Sequence, residues 1–272
     1  MTDYFSYNDG KGIVPDGAFR ISPSQVSRYF DQTSQWYREF LLGEKGFQGS
    51  TASELGTIVH AAAAMYFDHQ CVYGKQIEDY LDSITDPEID KSIIREQYPI
   101  MIETLINEFL STNLGTHSEQ FLWHEVLPGI GVGGSIDNYD KNKATITDFK
   151  TMGSLDKARL PKSFPRAYWF QQMLYAWLMI KNGFKVDYVR LAFVTRNNTG
   201  RFNDKGKALK DYPSEVYTLI EQVTDESLEI IDGCVNTIAH SVQLWQNHPE
   251  LRFALAQDWR LRAPEKPKLF KD

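Results

Sequence analysis

Apolar residues change their spacing at Glu119, and that change divides the chain. Upstream they recur every three to four residues, the spacing of helices with one buried face. From Glu119 on, residues 120–127, 132–139 and 144–150 alternate or carry β-branched side chains, as half-buried strands do. The links between them, Pro128-Gly129-Ile130-Gly131 and Asp140-Lys141-Asn142-Lys143, are too short for a crossover, so the three strands form an antiparallel meander.

Helices surround it. Ser22 and Pro23 suit the first turn of a helix reaching about Leu42. Thr51-Ala52-Ser53-Glu54 reads as a capping box for a second helix to about His69. Residues 74–115 read as helical, with breaks at Pro87 and Pro99. After the meander come a helix over 166–181 ended by Asn182-Gly183, strands over 185–195 and 215–222, and a helix over 224–246. The fold class is α+β: a three-strand meander plus further strands flanked by helices, with a helical N-terminal elaboration. Residues 1–20 read as a flexible arm and 251–272 as a basic tail. Between them, 21–250 form one domain, with a helical part over 21–118 and the meander and core over 119–250.

With 42% hydrophobic residues, 16 Phe, 14 Tyr and 6 Trp, the chain can bury a core, which argues against disorder. Cys71 and Cys234 stand far apart, so neither a disulfide framework nor a cysteine-held cluster is expected. No signal peptide or membrane-length apolar run is visible, which predicts a soluble cytoplasmic protein. A net charge of −7 works against a simple nucleic-acid binder, although a local basic cleft can coexist with an acidic remainder.

Asp137 lies near the end of the second meander strand, and Asp148, Phe149 and Lys150 end the third. Alternation puts Asp148 and Lys150 on one face and Phe149 on the other. The short turn brings Asp137 beside them, at a rim expected to face solvent. Carboxylate oxygens suit Mg²⁺ or Mn²⁺, and a lysine there can offset charge developing on a phosphate. Yet D-x-K also arises by chance, and strand ends commonly carry solvated charge. His60 follows Gly56 by one helical turn, on a helix rich in alanine. The glycine would let that helix approach the sheet, and the histidine is either a metal ligand or a hydrogen-bonded core residue. Gln171 and Tyr175 stand one turn apart among Trp169, Phe170, Met173, Leu174 and Trp177. Gln171 either turns toward the acids or sits at a solvated edge, where Gln172 is expected.

Together these pieces resemble the RecB-like branch of the PD-(D/E)XK nucleases, which includes bacterial recombination nucleases, CRISPR-adaptation nucleases and phage exonucleases. Ile21-Ser22-Pro23-Ser24 resembles the family's opening, and Gly56-Thr57-Ile58-Val59-His60 its G-x-x-x-H motif. Glu125, Gly134-Ser135-Ile136-Asp137 and Thr147-Asp148-Phe149-Lys150-Thr151 resemble its strand motifs. Gln171-Gln172-Met173-Leu174-Tyr175 resembles its Q-x-x-x-Y helix. The likeness covers about residues 21–195 and implies a restriction-endonuclease-like core. It implies that His60, Asp137, Asp148 and the main-chain carbonyl of Phe149 bind Mg²⁺ or Mn²⁺, with Glu125 behind them. Lys150 would assist the attacking water alongside Asp137 and Asp148, and Gln171 and Tyr175 would touch the substrate backbone. Ile136 stands where the superfamily's name has proline, and two cysteines cannot supply an iron–sulfur cluster's four ligands.

The implied activity is a deoxyribonuclease, an exonuclease before an endonuclease, serving recombination, repair or phage DNA processing in a bacterial or phage-infected cell. Its partners would be linear duplex or single-stranded DNA, a recombinase or annealing protein, and further copies of itself. The alternatives are a structure-selective or CRISPR-adaptation-like endonuclease and a non-cleaving DNA-binding or assembly module. Lys157, Arg159, Lys162 and Arg166 follow Thr151 and either hold phosphates near the site or form a solvated linker. Arg196–Lys210 and the tail are also basic, without a visible tie to the site. Tyr29, Trp36 and Tyr37 either stack on bases or pack in the core, and their helical spacing favours the core.

Overall fold

A computed structural model describes residues 3–6, 10–44, 49–113, 117–153, 160–203 and 205–256. In chain order the elements are β1 (Phe19–Ile21), α1 (Val26–Asp31), α2 (Thr33–Phe40), α3 (Thr51–His69), α4 (Gly74–Ser83) and α5 (Lys91–Glu108). Then come β2 (His117–Leu127), β3 (Ile130–Asp140), β4 (Thr145–Met152), α6 (Arg166–Lys181), β5 (Tyr188–Thr195), β6 (Val216–Gln222), α7 (Asp225–Asn247) and α8 (Arg252–Leu255). The expected meander is β2–β4, and the expected α+β class holds.

The six strands form one mixed sheet in the order β1-β3-β4-β5-β6, with β2 also on β3. β2 runs antiparallel along the whole of β3. The other edge of β3 is shared: β1 lies parallel to residues 130–132 and β4 antiparallel to residues 138–140. β5 joins β4 in parallel and β6 joins β5 antiparallel. One core, with Trp36, Tyr37, Val132, Ile146, Trp177 and Trp245, packs the sheet against α1, α2, α6 and α7. The other, with Leu55, Ile58, Met101, Leu105, Phe149 and Val194, packs it against α3 and α5. Phe149 thus points away from the face its neighbours share, as alternation requires.

Several local readings need correction. The helix expected over 22–42 breaks at Gln32 (φ −146°, ψ 59°), and Thr33 Oγ1 donates to Tyr29 O at 2.7 Å there. The box that opens α3 is Ser50 with Ser53: Ser53 N donates to Ser50 Oγ at 3.1 Å and Ser50 N to Ser53 Oγ at 2.7 Å. Glu54 is taken instead by the Tyr80 hydroxyl at 2.5 Å, and Thr51 Oγ1 by Asp90 N at 2.9 Å. Pro99 lies inside α5 without ending it, because Ile94, Met101, Ile102 and Leu105 keep one face of the helix on the core across the proline. The described part of the arm does not hang loose. Phe5 stacks on Tyr80, Tyr4 donates to Asp68, and Phe19–Ile21 pair with β3. Most of the basic tail lies outside the described residues. No described helix is long and apolar enough to cross a membrane.

Candidate active site

The site begins where β3 and β4 part. Their rungs are Asp140↔Thr145, Tyr139↔Ile146 and Asn138↔Thr147, and one more would set Asp137 against Asp148. That rung does not form. Pro23 and Tyr175 press on Gly134 so closely that a Cβ there would meet them at 3.0 and 3.2 Å, and β1 occupies the same edge beyond. Between the stretch that β1 holds, 130–132, and the stretch that β4 holds, 138–140, this edge of β3 has no strand on it. Asp137 Oδ2 instead accepts the Phe149 N–H at 2.9 Å, giving a strand amide at the fork a partner. On the other side, Ser118↔Asn138 and Gln120↔Ile136 flank Glu119, which therefore faces Asp137 across β2–β3. Glu119 has φ of 47°, an uncommon conformation for a residue with a Cβ. Glu119, Asp137 and Asp148 stand abreast on three strands.

α3 crosses this row. Gly56 faces Thr151, where a Cβ would stand 3.4 Å from Oγ1, an ordinary contact; the glycine eases the approach without being demanded by it. One turn later His60 Nδ1 lies 3.0 Å from Asp137 Oδ2, with the ring edge-on to Phe149 and 29% of the side chain still exposed, so it faces the cleft. Lys150 Nζ lies 2.5 Å from Asp148 Oδ2 and over the Tyr168 ring at 5.3 Å. From α6, Tyr175 hydrogen-bonds to Gln171 and lies near both Asp137 and Asp148. The rim was expected to face solvent, but Asp148 is only 4% exposed.

Charge in this recess is tightly coupled. Burial works against a protonated His60, but the Asp137 carboxylate outweighs it and lifts the pKa to about 9. Burial would raise Asp137 too, yet the His60 and Lys150 cations and the Phe149 N–H hold it down. Asp148 is pushed up by burial and by Asp137, against the pull of Lys150. Lys150 stays charged because Asp148 and Asp137 overcome its desolvation. Glu119 keeps solvent access at the mouth of the recess, yet the protein around it and the Asp137 charge push it up to about 8. The recess thus holds protons on His60 and Glu119 at neutral pH, which offset the crowded carboxylates.

A divalent cation would bring the same compensation, and oxygen donors with one imidazole suit Mg²⁺ or Mn²⁺. Asp148 Oδ2 is buried with no well-directed hydrogen bond, although the Lys150 ammonium is close. No three His, Cys, Asp or Glu among the described residues are already spaced as a closed cage. His60 and the Phe149 N–H engage Asp137, and Lys150 engages Asp148, so bringing in a cation means exchanging those partners.

Of the expected residues, the fold brings together His60, Asp137, Asp148, Lys150, Gln171 and Tyr175, with Thr151 beside α3. Glu125 is not among them. It accepts the Gly129 N–H at 2.8 Å and caps the β2–β3 turn, because its register partner is Gly131, at the far end of β3 from Asp137. Arg166 pairs with Asp31 at 2.7 Å and covers the Phe170 ring. Lys157 and Arg159 lie outside the described residues. Gln172, expected at a solvated edge, is fully buried, because α6 is packed on nearly every side; neither amide atom has a partner among the described residues. Glu119 and Tyr168 belong to the site and escaped the sequence reading. The signals were present: Tyr168 precedes Gln171 and Tyr175 at helical spacing, and Glu119 stands where the period changes.

A family model described as the PD-(D/E)XK nuclease superfamily matches residues 20–238. Among solved structures, an inferred exonuclease from Eubacterium rectale aligns over 100% of this chain and 96% of its own, with TM-score 0.55 and 17% identity. An alkaline exonuclease from Laribacter hongkongensis aligns over 90% and 98%, with TM-score 0.46 and 9% identity. A phage-related exonuclease from Haemophilus somnus 129PT aligns over 82% and 93%, with TM-score 0.45 and 13% identity. No curated protein matches by sequence.

Proposed function

The chain belongs to the PD-(D/E)XK nuclease superfamily, and from that premise we propose that it is a divalent-cation-dependent DNA exonuclease. The observation that carries this reading is the open rung Asp137–Asp148 with His60 and Lys150 against it. Held by Asp137, Asp148, His60 and the Phe149 carbonyl, Mg²⁺ or Mn²⁺ would supply Lewis-acid stabilisation of the phosphate and acidify the attacking water. Lys150 offsets negative charge developing on the phosphate, and Asp148 and Asp137 keep its ammonium charged for that task. Tyr168 covers the Lys150 ammonium and limits water around it. Gln171 and Tyr175 present an amide and a hydroxyl from a packed helix, so they can orient the DNA backbone at little entropic cost. Glu119 completes the row of acids at the mouth.

The exonuclease preference is supported by the full-length likeness to the Eubacterium rectale protein and by the order of the motifs. On this reading the enzyme serves recombination, repair or phage DNA processing. The test is digestion of end-labelled linear DNA and closed circular DNA with Mg²⁺ or Mn²⁺, with and without chelator. Loss of label from linear DNA only, abolished by chelator, is expected. Cleavage of the circle shifts the reading to an endonuclease. No cleavage, together with no calorimetric binding of either cation, leaves a non-cleaving module.

A further inference from the structure

The segment between β5 and β6 concentrates positive charge at one end of the sheet. Residues 196–211 contain five basic and two acidic side chains, net +3 in a chain of net −7. Its root lies at the fork. β4 and β5 end together at Met152↔Thr195, two residues past Lys150, and Arg196 N donates to Met152 O at 2.9 Å. Asn197 N donates to the buried Gln97 amide at 2.9 Å, and Arg201 pairs with Glu96, so the segment is anchored on α5.

From that root it rises as a braced hairpin. Asn198 N reaches Tyr212 O at 3.1 Å, and Tyr212 N returns to Asn198 Oδ1 at 2.6 Å. Leu209 N donates to Arg201 O at 2.8 Å, and Asn203 Oδ1 accepts the Lys205 and Lys207 N–H groups at 3.0 and 2.9 Å. This bracing holds outward what a fold would ordinarily cover. Phe202 is 66% exposed, and Lys205 and Lys207 stand exposed beside it. Basic side chains next to an exposed ring are what a nucleic-acid strand needs, one for phosphates and the other for a base face.

We infer that this hairpin is a second DNA contact outside the cleft, with Lys205 and Lys207 on phosphates and Phe202 stacked on an unpaired base of the strand entering the site. The inference rests on the DNA-nuclease reading above. It is tested with the full chain in chelator, so that nothing is cleaved, by anisotropy of fluorescein-labelled single-stranded DNA across a salt series. Lys205→Ala with Lys207→Ala should reduce the salt slope of log K by about 1.4, roughly 0.7 for each phosphate that is no longer neutralised. Phe202→Ala should weaken binding by about 5-fold or more at every salt concentration. In steady-state cleavage with Mg²⁺, both variants should raise KM and leave kcat unchanged, since neither touches the reacting atoms. Lys75→Ala with Lys185→Ala removes the same charge from α4 and from the opposite end of β5, and should leave the slope unchanged. If wild-type protein cleaves DNA while the hairpin variants bind with its affinity and slope, the hairpin contact falls and the nuclease reading stands. If the control variant shows as large a drop in slope, net charge is responsible and the hairpin contact falls as well. If the wild type neither binds nor cleaves DNA, both fall together.

Discussion

Glu119 and Glu125 lie six residues apart on β2 and look alike in the sequence, yet they meet opposite ends of β3. At the Glu125 end β3 is closed, with β1 on one edge and β2 on the other, and the carboxylate is spent on the Gly129 N–H. At the Glu119 end β3 has parted from β4, and the carboxylate faces Asp137 across from Asp148. The closed end satisfies its polar groups with backbone. The fork leaves side chains to do the pairing, and burial, with the like charge of Asp137 added to it, raises Glu119 and Asp148.

The hardest test of this contrast is Asp148→Asn, which keeps the shape of the fork and removes its charge. A fall in kcat of about 10³-fold or more is expected, with circular dichroism unchanged. Lys150→Ala should match that loss and also destabilise the fold, because it leaves the buried Asp148 carboxylate without its cation; an active variant would refute the role given to the fork. Next is the pair itself. Glu119→Gln should slow cleavage by about 10-fold to 100-fold. Glu125→Gln should stay within about 2-fold and cost no more than about 1 kcal/mol of stability, the worth of one hydrogen bond. Equal effects in a steady-state assay would erase the distinction between the two ends. At the closed end, a Cβ on Gly131 would meet His124 O at 2.5 Å, so Gly131→Ala should cost about 1–3 kcal/mol in urea unfolding and leave kcat alone.

The smallest effect is one of pH. Glu119 and His60 both have folded pKa values above their ordinary ones, at about 8 and about 9. The folded state therefore binds more protons than the unfolded one, and their contribution is complete only below the unfolded values. In chelator, the melting temperature should drift down as pH rises from about 5 through 9, and less so in Glu119→Gln. A melting temperature independent of pH over that range would show that the row of acids is not coupled as described.

Much of this was legible from residue order. The meander, α6 and the alternation that separates Phe149 from Asp148 and Lys150 follow from periodicity, because burial of one face imposes it. The local errors arose where capping and continuation depended on which partner each group found, near in the chain or far along it. Ser50 could cap α3 because Ser53 returned the bond, while Tyr80 drew off Glu54. Pro99 was carried inside α5 by packing on both sides of it. β1 was too short for its three residues to show a period.

The residue types at the fork, and the order in which strands and helices follow one another, were determined by the sequence itself. Which acid faces Asp137 was decided only by the tertiary structure. β2 and β3 begin their pairing with Leu127↔Ile130, a register that would bring Gln120 opposite Asp137. A bulge between Glu125 and Leu127 advances the register by one residue, and Glu119 arrives there instead. Strand side chains alternate with a period of two, so a slip of one residue exchanges every partner and every face. Where a strand will bulge depends on the sheet it is pressed against, and periodicity along the chain does not record it.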